Sequence, residues 1–205
     1  MRTIEVFADV ACPFAHVGLQ HFRSYRARQG QPGPRLRARA WPLELITAAP
    51  FDGQEMEPEV EALRTGVAPD LFTAFAPERF PTTSLPAMVS EAAAYRSGPE
   101  VGENFSFTVR QALFEGGADV SNDVVLRRLR DEHGVLDPIA ADEAAVGADL
   151  AEGRSRKVTG SPHFFSDRGD FFCPSLEIVH VPGGLHVGFD VDGFQRFADA
   201  VFGAG

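Results

Sequence analysis

The chain has 205 residues, of which 44% are hydrophobic and 18 are phenylalanine, and this is enough to bury one substantial core. A single domain, with an insertion at most, is therefore expected. The 19 basic and 29 acidic residues give a net charge of -10, which repels nucleic-acid phosphates and anionic lipids and excludes both as expected partners.

The N-terminus and the cysteines indicate the compartment. Met1 to Val10 has a strand-like pattern without signal-peptide character, and no apolar stretch of the sequence is long enough to span a bilayer. Cys12 and Cys173 are too few and too far apart for the disulfide framework of a small secreted domain. We therefore expect a cytoplasmic protein.

The first predicted elements are a strand and a helix. Thr3 to Ala8 is short and apolar, which is typical of a buried strand. Pro13 stands where proline is best tolerated, in the first turn of a helix, and apolar residues recur at helical spacing up to about Gln29-Gly30. The pattern predicts a helix with Cys12 at its N-terminus.

Residues 35–41 alternate strictly, which predicts a second strand that Pro42 ends. One face of this strand is basic and is interpreted as a solvated surface; it carries Arg35, Arg37 and Arg39. The next stretch, Leu43 to Pro81, is irregular and rich in proline, with weak helical patterns only at Pro58–Leu63 and Pro69–Phe75.

Helices and then strands are predicted in the rest of the chain. Apolar stripes with capping residues predict four helices, bounded by Ser84 and Gly98, Val101 and Gly116, Asn122 and Gly134, and Asp137 and Gly153. Apolar runs then predict strands at 163–165, 170–172, 176–181 and 185–189. A last amphipathic helix covers 194–201.

Cys12 is the strongest candidate for chemistry. A thiol at a helix N-terminus faces unpaired N–H groups and the positive end of the helix dipole, which favour the nucleophilic thiolate. A buried, inert cysteine is the alternative that this residue alone leaves open.

Two motifs resemble those of a known family. Residues 9–15, Asp-Val-Ala-Cys-Pro-Phe-Ala, with Gly18 after them, resemble the active-site turn of the DsbA-like thioredoxin superfamily. Residues 158–165, Val-Thr-Gly-Ser-Pro-His-Phe-Phe, resemble the loop that carries the cis-proline of that family. The block of predicted helices between the two motifs resembles that of the cytoplasmic branch of this superfamily. This branch contains dithiol-disulfide isomerase-like proteins, kappa-class glutathione transferases and 2-hydroxychromene-2-carboxylate isomerases.

The resemblance implies an α/β, thioredoxin-like fold with a helical insertion between an N-terminal βαβ part and a C-terminal ββα part. Residues 1–42 and 154–205 would form the thioredoxin-like domain, and residues 43–153 the inserted helical domain. The implied function is a thiol-disulfide oxidoreductase in which Cys12 is the nucleophile. The Ser161-Pro162 loop would clamp a small-molecule or protein disulfide substrate.

One position departs from the redox pattern of the family. Ala15 stands where redox members have a second cysteine, so no vicinal thiol can resolve a mixed disulfide. Two single-thiol routes remain, in which the intermediate is resolved either by a low-molecular-weight thiol, glutathione or mycothiol, or by Cys173. Cys173 is more simply interpreted as a packed apolar residue.

Other functions stay open. Transferase and isomerase relatives carry serine at the position of Cys12, where the hydroxyl supports a bound glutathione thiolate. A glutathione- or mycothiol-dependent transferase or isomerase of a small aromatic electrophile is therefore the first alternative, and a non-catalytic thioredoxin-fold binding module is the second. We expect no tightly bound cofactor and no metal site, and a homodimer is an open alternative for the assembly.

Further residues are candidates for the same site. His16 lies one helical turn after Cys12, where it could pair with the thiolate or relay a proton, although a surface histidine without a role is the simpler interpretation. His163 adjoins Pro162 near the expected mouth of the pocket. Candidates for a substrate wall are Pro13, Phe14 and Trp41. Core packing is the simpler interpretation for at least two of the aromatic residues Phe14, Trp41 and Phe164.

Overall fold

The computed structural model describes residues 2–30 and 33–203. Met1 and residues 204–205, at the ends of the two predicted thioredoxin-like segments, lie outside the described residues, as do residues 31–32. The strands are β1 (Thr3–Ala8), β2 (Arg35–Ala40), β3 (His163–Ser166), β4 (Gly169–Phe172), β5 (Leu176–Val181) and β6 (Gly184–Phe189). The helices are α1 (Pro13–Arg28), α2 (Leu43–Thr47), α3 (Gly53–Gly66), α4 (Leu85–Ser97), α5 (Pro99–Phe114), α6 (Asp123–Glu132), α7 (Ala140–Ser155) and α8 (Val191–Phe202).

The main sheet has the strand order β2-β1-β3-β4. β1 runs parallel to β2, to which α1 connects it, and antiparallel to β3, while β3 and β4 are antiparallel neighbours. The central strand β1 is buried on both faces, with Ile4, Val6 and Phe7 fully covered, which explains its continuous apolar character. The predicted α/β fold with a block of helices between its strands is confirmed.

A separate β-hairpin follows the main sheet. β5 and β6 pair with each other only within the described residues, as a two-stranded antiparallel sheet. The hairpin packs on α3, where a Cβ atom on Gly66 would lie 1.9 Å from the carbonyl oxygen of Val187. Glycine at the end of α3 therefore allows the helix backbone to approach β6 directly.

The helical block consists of α2 to α7 and a 3-10 turn at Pro77–Arg79. The predicted helix at 58–63 is part of the longer α3, and α7 runs through Gly153 to Ser155 instead of closing at Gly153. Gly153 faces the ring of Trp41, so this glycine permits close packing and does not end the helix. The division of the chain into two domains at these boundaries stays a prediction.

The weak helical pattern at Pro69–Phe75 does not correspond to a helix in the structure. Phe72 has a left-handed backbone with a φ of 62°, and its N–H donates to the carboxylate of Glu115 at 3.0 Å. A non-glycine residue in this conformation breaks a right-handed helix. The segment instead forms turns that bury the Phe72 ring completely.

The basic face of β2 is also less solvated than predicted. The Arg39 side chain is 14% exposed and is paired with Glu5 at 2.6 Å and with Asp149 at 2.8 Å. Its guanidinium lies over the ring of Phe7. Arg39 therefore joins β2 to β1 and α7, whereas Arg37, in the middle of the row, is exposed as predicted.

The outer edge of β2 is bonded to side chains from the helical block. The Tyr95 hydroxyl accepts the N–H of Ala38 at 2.7 Å and donates to the carbonyl of Leu36 at 3.3 Å. The carboxylate of Asp149 accepts the N–H of Ala40 at 3.0 Å. Side chains of α4 and α7 thus take the hydrogen bonds that a further strand would make.

Candidate functional site

Cys12 lies in the turn that joins the end of β1 to the start of α1. It is the N-cap of α1, and its sulfur accepts the N–H of Ala15 at 3.4 Å, while its thiol donates to the carbonyl of Ser161 at 3.3 Å. Pro13 occupies the first helical turn, where its missing N–H costs no hydrogen bond. The predicted position of Cys12 at a helix N-terminus is confirmed.

The Ser161-Pro162 loop lies against this turn. The peptide bond between Ser161 and Pro162 is cis, and the Ser161 hydroxyl accepts the N–H of Asp9 at 2.9 Å. A Cβ atom on Gly18 would lie 3.1 Å from the Pro162 ring, so glycine lets α1 approach the loop closely. The two motifs singled out in the sequence are therefore in contact in the fold.

Burial dominates the acidity of the Cys12 thiol. Desolvation, with smaller contributions from the charges of Asp9 and Glu59, raises its pKa to about 12, and hydrogen bonding with the Ser161 side chain and the Ala15 N–H only partly opposes this rise. The residue is 3% exposed. In this structure the helix N-terminus therefore does not produce the thiolate that the sequence favoured, because burial outweighs it.

A cavity of about 350 Å³ opens beside Cys12. Four predicted site residues line it, namely Cys12, Pro13, Phe14 and Ser161. The opposite wall comes from α2, α3 and the loop between them, and it contributes Leu43, Thr47, Ala49, Pro50, Phe51, Asp52, Glu55, Met56 and Glu59. The cavity thus lies between the thioredoxin-like elements and the helical block.

Three carboxyl groups in this wall were missed by the sequence reasoning. Asp52 is the N-cap of α3, and Glu55 and Glu59 follow on the same helix. The prolines around α3 made this part of the sequence resemble an irregular segment, so the start of the helix was not predicted. An acidic N-cap followed three residues later by glutamate is, however, a helix-start signal that could have located it.

The His16 side chain hydrogen-bonds and stacks with residues of the helical block. Its Nε2 atom lies 2.9 Å from the carboxylate of Glu115, and its ring stacks on Phe114 with the ring centroids 4.9 Å apart. The same Glu115 oxygen accepts the N–H of Phe72. His16 is therefore buried between α1 and the helical block, where it connects the two.

Two other candidates also lie away from the cavity. Trp41 is buried against Phe7 and Val158, as the core interpretation predicts. His163 lies in β3, and its Nδ1 atom accepts the N–H of Thr159 at 3.2 Å. Neither side chain is among the residues that line the cavity.

Cys173 lies one strand away from the Pro162 loop, as expected. Its N–H donates to the Pro162 carbonyl at 3.0 Å, and its backbone is left-handed with a φ of 44°. Its side chain is buried in an apolar cluster with Val10 and Ala11, and burial and a charge on Cys12 both raise the pKa of its thiol. These surroundings are those of a packed apolar residue.

Asp9 is a fully buried carboxyl group in the turn before Cys12. Its two oxygens accept the N–H groups of Ala11 at 2.8 Å and Leu43 at 2.7 Å, so it ties the turn to the start of the helical block. Burial raises its pKa from 3.8 to about 6, because desolvation outweighs these hydrogen bonds.

The raised pKa of Asp9 makes the stability of the protein depend on pH. The native state holds the Asp9 proton more tightly than the unfolded state, so the contribution of Asp9 to the free energy of unfolding falls as the pH rises from about 4 to about 6 and is constant above that range. Urea unfolding of the wild type and Asp9→Asn measures this contribution. The wild type should lose on the order of 3 kcal/mol relative to the variant across the range. Parallel pH curves would contradict the prediction.

Solved structures share this fold. A putative protein disulfide isomerase from Nitrosomonas europaea matches with a TM-score of 0.60 and 13% identity, over 96% of this chain and 95% of that chain. A 2-hydroxychromene-2-carboxylate isomerase matches with a TM-score of 0.59 and 14% identity, over 83% of this chain and 88% of that chain. The cytosolic disulfide reductase DsbM from Pseudomonas aeruginosa, in a structure with GSH, matches with a TM-score of 0.54 and 16% identity, over 82% of this chain and 87% of that chain.

The sequence has no match among curated proteins. A family model, however, covers nearly the whole chain. The model of the DSBA-like thioredoxin domain matches residues 3–200, which include both motifs and the helical block. The chain therefore belongs to the DSBA-like thioredoxin domain family.

Proposed function

We propose that the protein is a thiol-disulfide oxidoreductase that acts through the single thiol of Cys12. The observation that carries the proposal is the position of this thiol. It stands at the N-terminus of α1, in contact with the Ser161-Pro162 loop, on the wall of a cavity large enough for a small substrate. Membership of the DSBA-like family supports the same chemistry.

The proposed reaction is a thiol-disulfide exchange. Cys12 loses its proton, and its sulfur attacks one sulfur of a small-molecule or protein disulfide. The substrate S–S bond breaks, a mixed disulfide with Cys12 forms, and the leaving thiolate takes up a proton. Before the proton is lost, the thiol donates to the Ser161 carbonyl, which holds the Cys12 sulfur against the loop.

A second thiol must then release the enzyme. Because Ala15 replaces the usual resolving cysteine, we propose that a low-molecular-weight thiol, glutathione or mycothiol, attacks the mixed disulfide and restores the Cys12 thiol. The DsbM structure that shares this fold is one with GSH, which supports a small thiol as co-substrate. Resolution by Cys173 is the less favoured route, because its thiol is buried among apolar groups.

The raised pKa of Cys12 favours a second candidate function. A protonated thiol can donate a hydrogen bond to the thiolate of a bound cofactor, as the serine of transferase and isomerase relatives does. In this alternative the protein transfers or isomerises a small aromatic electrophile with glutathione or mycothiol. The fold of the 2-hydroxychromene-2-carboxylate isomerase is compatible with it.

We propose the cytoplasm as the compartment for either function.

The test is to trap the mixed disulfide. The reduced protein is incubated with hydroxyethyl disulfide, and the adduct is located by peptide mass spectrometry. We expect one adduct at Cys12 in the wild type and in Cys173→Ser, and none in Cys12→Ser. The adduct should form slowly at neutral pH and faster as the pH rises, because the Cys12 pKa is raised.

Two results would overturn the single-thiol proposal. The first is an unmodified Cys12 in a folded wild-type protein. The second is a Cys12→Ser variant that keeps full activity toward a thiol-dependent electrophile, which would favour the transferase or isomerase instead. Circular dichroism of each variant establishes that it is folded before its reactivity is compared.

A further inference from the structure

The charge of the cavity beside Cys12 is entirely negative. Its charged lining residues within the described chain are Asp52, Glu55 and Glu59, and none of the described lining residues is arginine, lysine or histidine. All three carboxyl groups belong to the N-terminal half of α3 or to its cap. A substrate that reaches the Cys12 sulfur through this cavity must therefore pass a wall whose charged groups are all negative.

Glu59 is the wall carboxyl group that is coupled to the thiol, although Asp9, outside the cavity lining, has the larger effect on the Cys12 pKa. The Glu59 side chain is half-buried, and burial alone raises its pKa to about 7, with no opposing hydrogen bond or cation among the described residues. A charge on Glu59 also raises the pKa of Cys12, so its field is felt at the reacting sulfur. Once ionised, the Glu59 carboxylate has no countercharge from the part of the chain that the structure describes.

The other two carboxyl groups add to this field. Asp52 is held in place at the start of α3, where its side chain accepts the N–H of Gln54 at 2.8 Å. Glu55 is exposed on the first turn of the same helix. The net charge of -10 extends the negative field beyond the cavity, and such a field lowers the local concentration of anions.

Resting on the proposed function, we propose that the α3 carboxylates select the small thiols and disulfides that reach Cys12. Compounds with an ammonium group near sulfur are preferred, uncharged compounds come next, and compounds with carboxylates are rejected. Of the two small thiols considered above, this disfavours glutathione, which carries two carboxylates, and favours mycothiol, which carries none.

The exchange step gives the charges a direct effect on rate. The Cys12 sulfur attacks one sulfur of the disulfide, the substrate S–S bond breaks as a Cys12–S–S–R bond forms, and the leaving thiolate takes up the proton that Cys12 lost and departs as RSH. The substituents next to both sulfurs then lie inside or at the mouth of the cavity, within reach of Glu59. Like charges raise the energy of this complex and opposite charges lower it, so selectivity appears in the second-order rate constant.

The experiment compares three disulfides of similar size. Cystamine is dicationic, hydroxyethyl disulfide is neutral and dithiodipropionate is dianionic. The rate of mixed-disulfide formation at Cys12 is measured with each at low ionic strength and about pH 8.5, above the raised pKa of Glu59. We expect cystamine to react at least about tenfold faster than dithiodipropionate, with the neutral compound between them.

Two variants of α3 separate the cavity from the overall charge. Glu59→Gln should reduce the ratio of the cystamine and dithiodipropionate rates several-fold. Glu57→Gln removes the same charge from an exposed position of the same helix, outside the cavity lining, and should leave the ratio unchanged. High salt should also reduce the ratio in the wild type, which tests the charge effect without any substitution.

The possible outcomes distinguish an error in the charge-selection proposal from an error in the oxidoreductase proposal. Similar rates with all three disulfides, or the same ratio in Glu59→Gln as in the wild type, would overturn charge selection but leave the oxidoreductase proposal standing. Lack of reaction with all three compounds would overturn the oxidoreductase proposal, and charge selection at Cys12 with it.

Discussion

Replacing Arg110 with methionine is expected to lower the free energy of unfolding by about 3 to 5 kcal/mol. Arg110 is fully buried in α5, and its guanidinium donates to the carboxylate of Glu91 in α4 at 2.7 Å. It also donates to the carbonyl and hydroxyl oxygens of Ser106 and to the carbonyl of Asp9. Without the arginine, the buried Glu91 carboxylate lacks its countercharge, and the turn before Cys12 loses a hydrogen bond.

A second variant separates the charge effect from packing. In Arg110→Met with Glu91→Met no charge of the pair is left buried, so much of the lost stability should return. Arg127→Met is the control for an exposed pair, because Arg127 and Asp123 are neighbours on the surface of α6, and it should cost less than about 1 kcal/mol. Equal effects of Arg110→Met and Arg127→Met in urea unfolding would contradict the prediction.

Replacing Gly153 with alanine is expected to lower the free energy of unfolding by about 1 to 3 kcal/mol, although alanine is the better helix former. The new Cβ atom would lie 2.5 Å from the Trp41 ring and 3.1 Å from the Phe7 ring. Both rings are buried and pack edge to face, so neither can move without disturbing the core beneath β1.

The same helix offers a control of opposite sign. A Cβ atom on Gly147 would meet no atom within 4 Å, so Gly147→Ala changes only the backbone entropy. It should raise the free energy of unfolding by about 0.5 to 1 kcal/mol. Thermal and urea unfolding of the two variants should therefore shift in opposite directions, and a gain of stability in both would show that the Trp41 contact is not tight.

Local patterns in the sequence were sufficient for the elements that carry the site. The apolar run of β1, Pro13 in the first turn of α1, and the asparagine cap at Asn122 are each recognised from a few neighbouring residues, and each is found in the structure. Gly153 misled the same reasoning. It resembles a helix end, but the reason for glycine is a contact with Trp41, which lies far away in the sequence.

The pKa of Cys12 and the partner of His16 could not be predicted from local sequence patterns. The pKa of Cys12 depends on how completely the folded chain buries the thiol and on the position of Glu59, and neither is a local property. His16 has helical spacing from Cys12, yet its ring turns to Glu115, a partner in a different element. Long-range contacts of this kind decide which candidate residues meet.

The side chains that cover the outer edge of β2 also affect how the protein associates with other chains. Exposed strand edges are templates for intermolecular pairing and aggregation. Tyr95 and Asp149 occupy the outward N–H groups of Ala38 and Ala40 and the carbonyl of Leu36, so a strand from another molecule could pair fully with this edge only if α4 and α7 moved away. In the main sheet as described, the opposite edge, β4, is left for sheet extension, and it is only four residues long and bears the half-exposed Phe172 ring. Conditions that loosen the helical block should therefore promote aggregation through β2 before the core of the sheet itself unfolds.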